Sequence, residues 1–307
     1  MTPRRLTVFT PATTANLGPG FDTFGLALDL WNEAVFCLEG REFYVDFSGG
    51  QVLDGLPTGS DNLIARAFCH LYEKQGAPLP AGVHITCTNR VPAGSGMGSS
   101  AAAVLAGLGA ANAFLGSPLG LDGLLLLATE LEGHPDNAAA GIFGGLTVSL
   151  TESGSILTRR FDVPPFAVAL AIPNFYLPTR VARAALPENV PLPDAVFNIS
   201  RAVMVVEALR NGDLDLLGRV LVDRLHQPYR FKLIPGCIHA QEAAKAAGAK
   251  AVALSGAGPG LLAFAPREAC PAVADAMQHA FEAAGLSCTS LVLVTSARGL
   301  QVQVEPG

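Results

Sequence analysis

The stretch VPAGSGMGSSAAAVLAGLGAANAF, residues 91–114, decides how the chain is read. It holds five glycines and three serines and no lysine. A helix that begins here presents unpaired backbone N–H groups and the positive end of its dipole. Glycines let those amides approach a phosphate closely. Serine hydroxyls can reach a phosphate oxygen or a magnesium ion, and the alanines allow tight packing behind the loop. Two familiar loops do not fit. A Walker A loop needs Gly-Lys-Ser/Thr, and the chain has no Gly-Lys pair; the dinucleotide fingerprint needs G-x-G-x-x-G, whereas the spacing here is G-x-G-x-G. Taken alone, the loop reads equally well as a glycine turn with an N-capping serine.

The remaining composition narrows the classes. A chain of 307 residues suits two ordinary domains or one large one. Half of it is apolar and 15% is charged, so a large core is available. The net charge of −6, with no basic cluster, excludes a nucleic-acid footprint and binding to an acidic membrane surface. After Arg4 and Arg5 the apolar run is too short for a secretory signal. The most apolar windows, Ala101–Leu115 and Leu119–Leu131, are shorter than a bilayer span and are interrupted by Asn112 and Asp122. A soluble, cytoplasmic protein with no membrane partner is expected. The six cysteines lack C-x-x-C spacing and read as small buried thiols.

Along the chain, Leu6–Phe9 alternates and is expected to end as a strand at Thr10-Pro11. Asn32–Leu38, Glu42–Phe47 and Val83–Thr88 are further strands. Ser60-Asp61 is expected to cap a helix carrying Leu63, Ile64, Ala67, Phe68 and Leu71 at helical spacing. Helices follow the glycine loop to about Phe114 and across Leu119–Glu132, and Gly141–Leu150 reads as a turn and strand. A composition shift over residues 151–165 suggests domains 1–158 and 159–307. The second half reads as strands Phe166–Ile172, Ala251–Ser255, Gly260–Phe264 and Thr289–Val294. Its helices are expected over Asp194–Leu209, Leu214–Leu225, His239–Ala247 and Cys270–Ala284. Without regular βα alternation, the expected class is α+β, built as two-layer sandwiches.

Two other glycine motifs stand far from the first: PATTANLGPGFD, residues 11–22, and LSGAGPG, residues 254–260. Each alone is an ordinary turn sequence. In this order the three resemble the signature motifs of the GHMP kinase superfamily. Within it, PATTANLGPGFDTFGLAL, EGHPDNAAAGIFGG (132–145) and RLHQPYRFKLIPG (224–236) resemble the homoserine kinase family. The resemblance implies a two-layer α/β sandwich of the ribosomal protein S5 domain 2-like type for the N-terminal domain, and a ferredoxin-like C-terminal domain. It also implies ATP and L-homoserine as substrates, Mg2+ as cofactor, and a homodimer.

The same resemblance assigns roles. Pro92, Gly94, Ser95, Gly96, Met97, Gly98, Ser99 and Ser100 would cradle ATP, with Asn62 near adenine; the plain alternative for Asn62 is a helix cap. Ser100 and Glu132 would hold magnesium, with Glu130 in reserve, its alternative a solvated helix face. His134 and Asp136 would orient the loop in which Asn137 faces the substrate. Asn137 stands where other GHMP kinases carry an aspartate base, and asparagine can position a hydroxyl but cannot take its proton. Arg183 and Arg230 would grip a carboxylate by the guanidinium fork. Asp22 and Asn16 would meet an ammonium group, and Thr179 the reacting hydroxyl. Asn137, Thr179 and Arg183 form the expected catalytic set. Gly256 and Gly258 belong to the substrate side of a third motif that buttresses the phosphate loop. Competing readings are a GHMP kinase for mevalonate or a sugar, which an aspartate at 137 would favour, and an inert ligand-binding regulator on the same fold.

Overall fold

The computed structural model describes residues 4–50 and 55–305. The first lobe holds β1 (Arg5–Ala15), β2 (Phe24–Cys37), β3 (Phe43–Gly50), α1 (Leu63–Lys74), β4 (Val83–Asn89), α2 (Ser99–Phe114), α3 (Leu121–Glu132), α4 (Asp136–Phe143), β5 (Leu146–Glu152) and β6 (Ser155–Phe161). The second holds β7 (Ala167–Pro173), α5 (Thr179–Ala184), α6 (Leu192–Asn211), α7 (Leu214–Val220), α8 (Gln227–Arg230), α9 (Cys237–Ala246), β8 (Ala251–Leu254), β9 (Leu261–Phe264), α10 (Cys270–Ala283) and β10 (Cys288–Val294). Finally, β11 (Gln301–Val304) returns to the first sheet and pairs antiparallel with β1.

The first sheet runs β11-β1-β2-β4-β3, and β5 joins β2 to β6. Its pairs are antiparallel except β3 with β4. One face carries Leu6, Val8, Ala34, Phe36 and Ile85 into a core against α1 to α4. The second sheet, β10-β7-β9-β8, is antiparallel throughout. With helices between β7 and β8 and between β9 and β10, its strand order is 4-1-3-2 in a βαββαβ chain, the ferredoxin-like arrangement. One face buries Ala169, Val252 and Ala263 against α9 and α10. Its other face joins Leu26, Leu28 and Met97 of the first lobe in a core that includes α6 and α7. The two lobes therefore share apolar packing at their junction, and the loops of both open there.

Several expectations change. Pro11 does not end the first strand. The register with β2 shifts between Pro11 and Ala12, and the strand continues to Ala15. A bulge is where a strand tolerates a residue without an N–H. The cap of α1 is Asn62, whose Oδ1 accepts the Ile64 N–H at 3.0 Å, rather than Ser60-Asp61. Residues 136–143, read partly as a turn, form α4 before the Gly144-Gly145 turn into β5. The helix expected over Leu214–Leu225 stops at Val220, because Asp223 gathers the next amides. Sheet membership switches between Phe161 and Ala167, and the chain crosses back at Gln301.

Candidate active site

The glycine loop is built before it binds anything. Ser95 is buried; its Oγ donates to the Pro92 carbonyl at 2.6 Å and accepts the Met97 N–H at 3.2 Å. The Met97 side chain is core, and its carbonyl accepts the Thr13 N–H at 3.1 Å. Pro92, Ser95 and Met97 thus shape the loop. Gly94, Gly96, Gly98, Ser99 and Ser100 line a cavity of about 500 Å³ at the lobe junction. Gly96 and Gly98 hold φ of +80° and +69°, where an L side chain is strained. A Cβ at Gly96 would overlap the Ser255 carbonyl oxygen, and one at Gly98 the Thr13 hydroxyl. The third motif presses on this loop from behind: Ser255 Oγ lies 2.8 Å from the Gly96 carbonyl it donates to, and 2.9 Å from Thr14 Oγ1. The first-turn amides of α2 have no acceptor inside the helix, and Ser99 and Ser100 of that turn line the cavity.

Beside the loop, Ser100 Oγ donates to Glu132 Oε1 at 2.6 Å. Burial pushes the Glu132 carboxyl above its ordinary range, against the pull of the Ser100 bond and of His134. Glu130 faces away. It pairs with Lys74 at 2.9 Å and His70 at 3.1 Å, its carboxyl is lowered chiefly by Lys74, and it does not line the cavity. His134 Nδ1 meets the buried Asp136 at 2.7 Å, and this bond raises the imidazole pKa. Asn137 lines the cavity; its Oδ1 accepts the Thr13 hydroxyl at 2.8 Å, and its Nδ2 donates to Asp136 Oδ1 in a long bond of 3.4 Å.

The opposite wall is cationic. Arg183 holds Asp22 through a two-pronged pair at 2.7 and 2.8 Å. Asp22, expected to meet an ammonium group, and Arg183, expected to meet a carboxylate, here satisfy each other. Arg230 is 1% exposed. It makes three long hydrogen bonds, to the Ala182 carbonyl (3.4 Å), His226 Nδ1 (3.3 Å) and the Gly256 carbonyl (3.4 Å). Arg230 is in none of the ion pairs among the described residues. Burial, then the Arg183 charge, lowers its pKa to about 10. Asn16 ties the wall together, donating to the Gly256 carbonyl at 2.8 Å and accepting the Asp22 N–H at 2.9 Å. Thr179 opens α5 on the cavity rim, with Gly258 near it.

Sequence reasoning passed over the frame of this wall. Phe21 lies 5.1 Å from the Arg230 guanidinium and 5.5 Å from that of Arg183, ring centroid to Cζ, and stacks on His226. His226 is fully buried and burial keeps it neutral. Its Nε2–H donates to the Gly18 carbonyl at 2.8 Å, and Nδ1 is left to accept from Arg230. Asp223 holds that turn by accepting the amides of Leu225, His226 and Gln227. Asn16, Leu17 and Asp22 all have positive φ, and this run of non-glycine strain is the local signal of a functional loop.

A second, apolar cavity of about 300 Å³ shares Ser99 and Ser100 with the first. Phe47, Leu63, Ile64, Cys87 and Ala106 line it. Asn62 lies on its edge, with Nδ2 donating to the Pro57 carbonyl at 2.7 Å besides capping α1. An apolar cavity bordered by two serines of a phosphate-type loop is a setting in which a nucleotide base can be held.

Comparison with known proteins agrees with this geometry. Residues 62–145 match the GHMP kinases N terminal domain, and residues 205–283 match GHMP kinases C terminal. The chain is 46% identical to a homoserine kinase of Moorella thermoacetica over 95% of its own length and 98% of that protein.

The chain belongs to the homoserine kinase family.

A homoserine kinase of Gloeobacter violaceus is also 46% identical, over 97% of this chain and 98% of the relative. The crystal structure of homoserine kinase from Cytophaga hutchinsonii superposes with a TM-score of 0.87 at 30% identity, covering 99% of this chain and 98% of that one. The fold is accordingly that of the GHMP kinases, and as a homoserine kinase family member the protein is an ATP-dependent kinase. Among the described residues, no helix is long and apolar enough to cross a membrane.

Proposed function

We propose that this protein transfers the γ-phosphoryl group of ATP to the hydroxyl of L-homoserine, giving O-phospho-L-homoserine in threonine biosynthesis. The observation that carries the substrate assignment is Arg230: a buried guanidinium with no carboxylate partner, facing a cavity that also holds the phosphate loop. A substrate carboxylate completes it, and a buried unpaired charge is costly without one. Asp22 then turns to the ammonium group, and Arg183 shares the carboxylate.

The γ-phosphate lies on the amides of Gly98, Ser99 and Ser100 at the positive end of α2. Phosphoryl transfer has a loose transition state and depends mostly on alignment and charge neutralisation. Asn137, fixed by Thr13, aims the attacking hydroxyl from one side, and Thr179 from the other. Attack is in line, and the hydroxyl proton leaves to phosphate or solvent, because Asn137 cannot accept it. The pair Ser100 and Glu132 fits magnesium, which takes one or two carboxylates together with substrate phosphates. Bound there, magnesium would neutralise phosphate charge in place of a Walker lysine.

A cytoplasmic homodimer completes the reading. Its support is the exposed side of α6, where Leu192, Val196, Ile199 and Val203 recur at helical spacing. Sedimentation of the wild type against Val203→Glu tests it, and an unchanged monomer in both removes it. The function itself is tested by ADP release with Mg-ATP and, separately, L-homoserine, L-serine, mevalonate and galactose. Turnover with homoserine alone is expected. Turnover with mevalonate or galactose instead, or none despite ATP binding, overturns the assignment.

A further inference from the structure

The turn HQPYR, residues 226–230, sets His226 at the cap of α8 and Arg230 at its last residue, one helical turn apart. Its backbone is held without the imidazole. Asp223 accepts the amides of Leu225, His226 and Gln227, and Gln227 Oε1 accepts the Leu254 N–H of β8 at 2.8 Å. The ring bonds go elsewhere. The Gly18 carbonyl can only accept, so Nε2 carries the ring proton; a guanidinium can only donate, so Nδ1 accepts from Arg230 Nη1 at 3.3 Å. Burial holds the ring in this uncharged form. The two carboxylates whose charges reach the ring are committed: Asp22 to Arg183, and Asp223 to its three amides and to Asn198 Nδ2 at 2.7 Å. Arg230 is therefore held by an acceptor without charge, and its own charge is left for what enters the cavity it lines. A carboxylate in place of the imidazole would hold the guanidinium as firmly and also neutralise it.

We propose that His226 is a positioning residue for the phosphoryl transfer, its imidazole orienting Arg230 for the substrate carboxylate while leaving the guanidinium charge uncompensated. This rests on the reading of Arg230 given above and extends it to a fully buried side chain that does not itself line the cavity. The same ring stacks on Phe21, which lies near both guanidinium groups. Its Nε2–H fixes the Gly18 carbonyl, in the loop that carries Asn16 and Asp22 into the cavity wall. One imidazole thus keeps the arginine that would receive the carboxylate in register with the loop that would receive the ammonium group. Such register is what converts binding groups into an aligned substrate.

The test compares His226→Asn, His226→Asp and His226→Leu with wild type in kcat/KM for homoserine, the ATP dissociation constant and the melting temperature. Asparagine and aspartate share one shape, and both lose the Gly18 bond and the stack on Phe21. Asparagine keeps an uncharged acceptor where Nδ1 stands, whereas aspartate puts a charge there. His226→Asn is expected to hold kcat/KM within about fivefold of wild type, the worth of the one hydrogen bond it loses. His226→Leu should lose about ten- to a hundredfold, as a misaimed binding group does, and His226→Asp at least as much. ATP affinity should be unchanged in all three. In an Arg230→Met background the three substitutions should no longer differ. Equal kcat/KM for His226→Asn and either other variant overturns the proposal, so one of the two comparisons suffices if a variant does not fold. A loss that persists at full size in the Arg230→Met background also overturns it and marks His226 as structural. If Arg230→Met alone keeps the wild-type kcat/KM, the reading of Arg230 is refuted and this proposal goes with it.

Discussion

Replacing Arg230 with methionine sets stability against function. Lowering the guanidinium pKa to about 10, at roughly 1.4 kcal/mol per pH unit, corresponds to a penalty on the order of 3 kcal/mol for the charged form. Arg230→Met removes that penalty and keeps much of the buried volume. Against it, His226 Nδ1 loses its donor, which costs about 1–3 kcal/mol; the Ala182 and Gly256 bonds, at 3.4 Å, count for less. The two sides nearly cancel, so the variant should melt close to wild type. Substrate binding should not survive. Truncating one partner of a buried charge pair costs about 2–5 kcal/mol, or roughly 30- to 5000-fold. The homoserine KM should rise by that factor while ATP affinity is unchanged. Coupled ADP release, ATP titration and thermal melting measure the three quantities. A variant that loses many degrees of melting temperature yet keeps its homoserine KM would refute the argument and make Arg230 a structural residue.

Glu132→Gln should cut kcat by about a hundredfold or more, since it removes the carboxylate beside the phosphates, whereas Glu130→Gln should leave turnover near wild type. Because burial raises the Glu132 pKa and only the ionised form can hold a cation, the acid limb of kcat/KM should lie above the ordinary glutamate range; a limb within that range contradicts this. Gly98→Ala should raise the ATP KM and lower the melting temperature, with about 1–2 kcal/mol from left-handed strain alone and more from the Thr13 overlap. His84 bridges Asp46 at 3.0 Å and Glu39 at 3.3 Å, and the Asp46 bond chiefly raises its pKa. Its stabilisation is therefore full below the ordinary histidine pKa and fades as pH rises through the raised folded value. His84→Gln should remove that part of the pH dependence of melting, and identical wild-type and variant curves would exclude it.

The phosphate loop was legible because its needs are local: glycines at positive φ, serines at a helix start, alanines behind. Fold class followed from strand and helix periods, and the family from three motifs in order. What stayed hidden depends on distance along the chain. Asp22 and Arg183 are separated by 161 residues, so nothing local reveals that each occupies the other. The same holds for Arg230 under Phe21 and for Thr13 on Asn137. Glu130 and Glu132 differ only in which side of α3 they face, and a helix ending two residues before the histidine could not be phased from sequence. Pro11 misled because a bulge excuses it. The short α4 was missed because Gly141 and the Gly144-Gly145 turn punctuate so brief a helix.

The return of Gln301–Val304 to pair with Leu6–Phe9 bears on how the protein is made. A ribosome delivers β1 long before its outer partner, with every other strand and helix between them. Until that partner emerges, the Leu6–Phe9 edge has bare N–H and C=O groups beside an apolar row, a template for pairing with other nascent chains. Removing residues 301–305 would spare every residue that faces either cavity. It should nevertheless convert soluble product into aggregate, with the losses appearing in yield before they appear in catalysis.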